Sequence, residues 1–584
     1  MAVFSHWARN DELQAPGVDE TVRAYFYEQN QPAVAVVINT IKFSLTVGRP
    51  VEPDFLKRLG IPVLQAYTLM EPYESWKNSV EGMTAMEISC SVAMAEFDGV
   101  VHALPVAGKE CSPEGINHFQ AIRERIVQTV RKAGKWAQLR HKKNEDKKIA
   151  VVFHNYPATN SNIGSAQGMD SPESIRLLLS VLAERGYRLD HIPKDSQALM
   201  EALLQQATND RRFLSDEQSK AAVKVSKEQY EEWFNRFVPQ VQEQLVRDWG
   251  MPPGDVFQYD GQLLIPGLIN GNIFITVQPP RGFGEDPNKI YHSPDCAPTH
   301  HYLAYYHWLR EVFKADAVIH VGTHGSLEWL PGKGAGLSRA CYPDLSIGDL
   351  PNIYPYLITV VGEGIQAKRR GAACLIGHLP PPMSHADTYE ELADLEKLLD
   401  EYVHYKANQP GNVEIVTTLI QKKIAALNLE DDIPVRPGEY FDEYLQRLHG
   451  YITDLKNMQI RVGLHILGCP PAGQLLVDYV EALTRLDNDE APSLPRIIAG
   501  CHGYDYYDLL EQSSRLLPDG TMTCKALADV VREQCRQVIV TLAEYAFAIE
   551  KVEAVLALPW VVHADQAVRD MLWPGKSAKS WVTV

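Results

Sequence analysis

The chain has little of what marks several functional classes. Its nine cysteines are scattered, with no C-x-x-C. That excludes a zinc ribbon and a disulfide framework, and it fits a reducing, cytoplasmic compartment. No apolar run reaches transmembrane length, and Met1-Ala-Val-Phe-Ser-His-Trp7 meets charge at Arg9, so neither a membrane span nor a secretory leader is expected. Positive charge is short: 56 Lys and Arg against 74 Asp and Glu leave a net charge of −18. Nucleic acid and an anionic membrane are therefore poor partners on average, although a local basic pocket can still take a carboxylated ligand. H-E-x-x-H is missing, which excludes the zincin pattern. Gly332-Lys333-Gly334 fails the P-loop spacing, and no G-x-G-x-x-G supports a dinucleotide site.

What is present is concentrated in His320-Val-Gly-Thr323-His324-Gly-Ser-Leu-Glu328-Trp-Leu-Pro-Gly-Lys333. The apolar run Ala317-Val-Ile319 reads as a buried strand, which Gly322 and Gly325 break, and Pro331-Gly332 closes any helix starting at Ser326. The imidazoles, the carboxylate and the lysine thus follow the carboxyl end of a strand, where α/β folds bind ligands. The alternative for each is ordinary: a satisfied core histidine, or a glutamate that complements a helix dipole. Their clustering around glycines favours the functional reading.

The chain is long enough for several cores. Its patterning predicts several α/β modules with mostly parallel sheets and a helix-rich C-terminal region. Residues 1–145 read as an α/β domain, with strands at Pro32–Ile38 and Gly60–Gln65, a turn at Asp98-Gly99 and a helix from Gly115 to about Leu139. The basic run Arg140–Lys148 reads as a linker. Residues 146–388 form the α/β core that carries the motif. Strand Ile149–His154 leads into a polar glycine loop with Asn160 and Asn162, then a helix with Ser171 as N-cap and Pro172 at N1. That arrangement makes an anion site, or the asparagines only cap turns. Ser226 caps a helical stretch that breaks at Pro239; Gly267-Leu-Ile-Asn270-Gly271 is a loop between strands. Arg281 can pair with a substrate carboxylate, and Thr299 caps a helix whose first turn carries His300. A further strand is expected at Tyr356–Val361. Residues 389–584 read as mainly helical, with helices at Tyr389–Tyr405, Val413–Leu427, Tyr440–Met458 and Lys525–Val555.

The stretch from Tyr291 to about Tyr402 resembles the large subunit of the cobalt and magnesium chelatases of tetrapyrrole synthesis. The resemblance is carried by Pro298-Thr-His300-His301-Tyr-Leu-Ala-Tyr305-Tyr306, Lys314-Ala-Asp316-Ala-Val-Ile-His320, Gly322-Thr-His-Gly-Ser-Leu-Glu328, Pro331-Gly-Lys333, Cys341-Tyr-Pro-Asp344 and Ala367-Lys368-Arg369-Arg370. Glu96-Phe-Asp-Gly99, Asn155-Tyr-Pro, Asn162-Ile-Gly and Gly168-Met-Asp-Ser-Pro extend it and turn Asn160 and Asn162 toward binding. Trp329-Leu330 resembles the cobalt branch. The resemblance implies insertion of a divalent metal, Co²⁺ preferred and Mg²⁺ as alternative, into a tetrapyrrole; a non-catalytic porphyrinoid-binding protein is the other reading. It also implies an AAA+ ATPase and accessory chelatase subunits as partners, with ATP used by them, and a second chain for a missing C-terminal half.

Insertion requires the metal to shed water and the pyrrole N–H protons to leave. On this reading His320 and His324, with Glu328, hold the metal, since imidazole suits Co²⁺ better than Mg²⁺. Glu328 accepts the proton. Lys333 and Arg281 neutralise peripheral carboxylates, and Lys368-Arg369-Arg370 grips them or is a solvated helix face. Asn160, Asn162, Asn270, His300 and Thr323 complete the expected substrate contacts. Tyr305, Tyr306 and Trp329 stack on the ring or belong to the core.

Overall fold

The computed structural model describes residues 16–562 apart from 46–57, 157, 207, 211–212, 283–292, 324, 382, 386–389, 409, 428, 458, 462–463, 489–490, 513–514, 516, 521 and 523. The chain divides into two compact units, Met1–Pro380 with Ile466–Gly468, and Pro381–His465 with Cys469–Val584.

Among its described residues the first unit contains two larger sheets beside two small ones of two and three strands. In the N-terminal one, β1 (Val37–Asn39), β2 (Val63–Pro72) and β3 (His102–Cys111) run parallel, and β4 (Asn117–Ala121) closes the edge antiparallel to β3. The strand expected at Pro32–Ile38 is therefore short and displaced. The helix expected from Gly115 begins only at Arg123. Gly115, at φ +81°, turns the chain back so that Asn117–Ala121 takes the open edge of β3, and ladder bonds win over helical propensity there. Helix α1 (Tyr73–Asn78) follows β2, and α2 (Arg123–His141) ends two residues into the basic segment Arg140–Lys148. Asp98, the expected turn residue, is buried and accepts from Ser44 Oγ and Leu45 N–H, both at 2.6 Å.

The central sheet has six strands. They are β5 (Ile149–Phe153), β6 (Gly267–Asn270), β7 (Ile273–Val277), β8 (Ala317–Val321), β9 (Asn352–Leu357) and β10 (Ala373–His378), in the spatial order β6-β7-β5-β8-β9-β10. All pairs are parallel except the β6–β7 hairpin. The segment Gly267–Gly271, expected as a loop, supplies that edge strand. The strand expected at Tyr356–Val361 lies earlier, and Val361–Arg370 is helical instead. Alternate residues of β5, β7 and β8 feed two cores. Ala150, Val152, Phe274 and Val318 pack against α4 (His300–Glu311) and the helices Lys227–Phe234 and Pro239–Trp249. Ile149, Val151, Phe153, Ile275 and Ile319 pack on the other face with α3 (Ser171–Glu184). A strand covered on both faces carries no polar alternation, which is why these runs are continuously apolar.

Caps follow chemistry closely. Ser226 and Thr299 accept from Gln229 N–H and Tyr302 N–H at 3.2 and 3.1 Å. At α3 the N-cap is Asp170, one residue before the expected Ser171, and it accepts from Glu173 N–H at 3.0 Å.

The second unit is mainly helical. Glu390–Asn408, Val413–Ala426 and Phe441–Asn457 share one core, close to the expected ranges. Gln474–Thr484, Leu494–Cys501 and Cys524–Ala543 build another. The last expected helix stops at Ala543 and gives way to a 3-10 turn at Ile549–Ala557. Among the described residues no helix is long and apolar enough to cross a membrane.

Candidate functional site

From β5 the chain passes to β7 on one side and then to β8 on the other, so β5 and β8 flank the point where the strand order reverses. Crevices for ligands open at the carboxyl ends of strands at such a point. Here those ends are His154, Gln278 and Gly322, and the loop Gly322–Leu330 lies over them. Gly322 is required: a Cβ there would meet His154 Cβ at 2.4 Å. At Gly325 a Cβ would meet Gln278 Oε1 at 2.8 Å and push aside the amide that holds Ser326 N–H and Tyr306 Oη.

A hydrogen-bonded chain runs from β9 into this loop. Asn352 Nδ2 donates to Gly371 O at 2.8 Å, so its Oδ1, 2.7 Å from His320 Nδ1, accepts from that nitrogen. His320 Nε2 then accepts from Tyr306 O–H at 3.0 Å. Gln278 Nε2 donates to Tyr306 Oη at 2.8 Å, and Gln278 Oε1 accepts from Ser326 N–H, also at 2.8 Å. Ser326 Oγ lies 3.0 Å from Tyr302 Oη. Finally Gly325 N–H donates to Glu328 Oε1 at 3.0 Å. Burial lowers the His320 pKa to about 4, against the opposing Asn352 bond, so the ring is neutral and its tautomer is fixed.

Glu328 sits in the short 3-10 turn Leu327–Trp329 and is 1 % exposed. Burial pushes its carboxyl up to about 7. The N–H groups of Glu328 and Gly325, then Tyr354 and Arg370, pull the other way without cancelling it. A carboxyl poised near neutrality can take and return a proton at working pH.

The other expected site residues divide sharply. His320 has both nitrogens bonded within the protein, so it is a fixed member of the network and not an open metal ligand in this conformation. His324 lies outside the described residues. Among those described, no group of three or more His, Cys, Asp or Glu is placed to hold a metal.

Lys333 points away from the crevice. Its Nζ donates to Trp76 O at 2.7 Å, Lys77 O at 3.1 Å and Ser79 O, which caps the C-terminal end of α1 and uses all three ammonium donors. Arg281, 1 % exposed, donates to Trp329 O at 3.0 Å, Ser293 O at 2.6 Å and Cys296 O at 3.0 Å. These cations hold backbone, not substrate carboxylates.

His300 is also a core group: Nδ1 lies 2.8 Å from Tyr230 Oη and Nε2 3.0 Å from Gly250 O. Asn270 Oδ1 accepts from Asp190 and His191 N–H at 2.8 and 3.1 Å and clamps a turn. Asn162 Nδ2 donates to Thr159 Oγ1 at 2.6 Å, and Asn160 accepts from Thr208 Oγ1. Thr323 remains in the crevice loop, where its Oγ1 accepts from Gln167 N–H.

In the basic triplet, Arg369 pairs with Glu96 at 2.8 Å and Arg370 donates to Leu330 O. Tyr305 and Tyr306 are fully buried, so neither can stack on a ring; Trp329, at 37 % exposure, can. Gln278, Asn352, Tyr302 and Tyr354 were not legible as site residues. Gln278 directly after the apolar run Ile273–Val277 was the one available signal, a polar residue at the carboxyl end of a buried strand.

Comparison with known proteins identifies the family. The CobN/Magnesium Chelatase family model matches residues 1–570. The catalytic subunit of cobaltochelatase from Mycobacterium tuberculosis superposes with a TM-score of 0.76 at 33 % identity, covering 92 % of this chain and 46 % of that one. An uncharacterised protein of Methanocaldococcus jannaschii is 43 % identical over 88 % of this chain and 43 % of its own length. The aerobic cobaltochelatase subunit CobN of a Sinorhizobium species is 35 % identical (83 % of this chain, 38 % of the relative), and the chloroplastic magnesium-chelatase subunit ChlH of japonica rice 32 % identical (88 % and 37 %). The chain thus spans less than half the length of these relatives. With a crevice at the strand reversal, a poised buried carboxyl and a family match along nearly its whole length, this chain belongs to the CobN/magnesium chelatase family.

Proposed function

We propose that the chain is the tetrapyrrole-binding part of a chelatase large subunit that inserts Co²⁺ into a corrinoid precursor of the hydrogenobyrinic acid a,c-diamide type. The observation that carries this reading is Glu328: a buried carboxyl near pH 7, on a loop rigidly supported from the central sheet. Glu328 accepts a pyrrole N–H proton as the metal enters. The Asn352–His320–Tyr306–Gln278 chain keeps its loop in register, so His320 acts as a positioning residue. Trp329 offers an exposed aromatic face to the macrocycle. The metal is substrate, not a resident cofactor.

Cobalt is favoured because the relatives named as cobaltochelatase subunits are 35 and 36 % identical, above the magnesium-chelatase subunits at 30 to 32 %. Magnesium insertion into protoporphyrin IX is the second reading, supported by the rice and bacterial H subunits. Energy comes from ATP hydrolysed by AAA+ partner subunits, with accessory subunits and a further chain supplying what the longer relatives carry. All nine cysteines are free, in keeping with a reducing cytoplasm.

The test is a visible-absorption titration of the chain with a corrinoid precursor and with protoporphyrin, on wild type and Glu328→Gln. Saturable binding of one ring by both proteins, with insertion lost only in the variant once metal, ATP and partner subunits are present, is expected. Failure of either ring to bind, even with the complementary chain supplied, sinks the proposal.

A further inference from the structure

Beyond the crevice, an acidic chain carries a strongly basic cleft. A depression of about 460 Å³ lies between α2 and the segments around Arg339 and Asp344–Gly348. Its lining includes Arg123, Arg125, Arg131, Arg310 and Arg339 against only Glu124 and Asp344. Both carboxylates are already spent: Arg125 pairs with Asp344 at 2.9 Å and with Glu124 at 2.7 Å. Arg310 is turned inward onto Leu345 O at 3.0 Å and Ser346 O at 3.3 Å. Behind the wall, Lys132 is 3 % exposed and donates to Gly348 O at 2.6 Å, beside the Gln128 Nε2 bond to the same carbonyl at 2.7 Å.

Arg123, Arg131 and Arg339 are exposed, and among the described residues their side chains have no hydrogen bond or ion pair. Arg123, Val127 and Arg131 recur every four residues on α2, so one stripe of that helix faces the cleft, and Arg339 comes from another segment. The inner cations cannot move, because their donors are held by backbone and carboxylates. Asp349 and Asp344 act on Lys132 and Arg310 behind the wall, so the positive charge left facing solvent is that of the outer arginines. In a chain of net charge −18 such a concentration is not the average surface.

We propose that this cleft is a binding site for a small polyanion, bearing several phosphate or carboxylate groups, gripped by Arg123, Arg131 and Arg339. Guanidinium forks suit both oxyanions, and charge supplied from separate segments favours a ligand with more than one anionic group. The site is independent of Glu328 and of the metal-insertion reading.

Isothermal titration of the full chain with inorganic tripolyphosphate and, separately, citrate tests it. The expected result is saturable one-to-one binding that weakens about ten-fold or more in Arg131→Ala/Arg339→Ala, while Arg185→Ala, an exposed arginine elsewhere, binds like wild type. Binding of tripolyphosphate alone assigns the cleft to phosphate-bearing ligands; binding of both extends it to polycarboxylates. No saturable binding of either probe by wild type, or equal binding by the double variant, overturns the proposal.

Discussion

The two halves of the segment from Gly322 to Ser338 are held in opposite ways. Up to Ser326 the support comes from the central sheet, through neutral groups: Asn352, the fixed His320 tautomer, Tyr306 and Gln278; beyond it Arg281 and Arg370 hold the carbonyls of Trp329 and Leu330. After Pro331 it comes from the N-terminal sheet and its helices, largely through charge and backbone. Lys333 caps α1, Trp76 Nε1 donates to Gly336 O at 2.8 Å, and Arg125 Nη1 donates to Leu337 O at 3.3 Å. Among its described residues the first half leaves one ionisable group, Glu328, poised. The charged half leaves its lysine fully occupied. The motif therefore mixes a buried carboxyl with a raised pKa and a lysine spent on backbone, and the sequence alone does not distinguish them.

The largest way to test that contrast is at the carboxyl. Glu328→Gln should retain tetrapyrrole binding and lose insertion by ~10²-fold or more, read as turnover with partner subunits present. Normal turnover would assign proton transfer elsewhere. Next is pH. The folded pKa of Glu328 is about 7 against an ordinary 4.5, so the folded state binds the extra proton between those values. Its stabilising contribution is complete below about pH 4.5 and is lost as pH rises through about 7. Urea unfolding should show wild type losing about 3 kcal/mol relative to Glu328→Gln between the two ends of that window. On the proposed role of Glu328 as proton acceptor, insertion should instead rise through the same range.

Lys333→Met should cost about 2 kcal/mol, since one buried and two part-buried carbonyls lose a charged donor. A lowered denaturation midpoint with an unchanged ring dissociation constant is the expected outcome. Weaker ring binding in a folded variant would restore the carboxylate role. Asn352→Leu should cost about 2 kcal/mol by orphaning His320 Nδ1–H and Gly371 O, and should reduce insertion more than ring binding. Tyr354→Phe removes the hydroxyl's 3.5 Å contact to Glu328. It should shift stability by less than about 1 kcal/mol and move the pH profile of insertion slightly upward, because that contact lowers the carboxyl pKa.

Much of the architecture was legible because it rests on local patterns. Continuous apolar runs marked β5, β7 and β8; Thr299 and Ser226 announced their helices; the amphipathic periods of Glu390–Asn408, Val413–Ala426 and Phe441–Asn457 fell nearly where expected. Boundaries failed where a neighbouring strand decided them. Asn117–Ala121 and Gly267–Asn270 became edge strands because an unpaired ladder was waiting, which no local propensity records.

The sequence by itself determined the family, the parallel α/β character and the loop that carries Glu328, since these depend on residue order, periodicity and the glycines that break it. Only the tertiary structure decided which charged residue of that loop is available. Burial raises the carboxyl of Glu328, whereas carbonyls brought in from Trp76 to Ser79, more than 250 residues away in the chain, take up the ammonium of Lys333. Ionisation and hydrogen-bond supply are set by what surrounds a group in space, and that is not written in its neighbours along the chain.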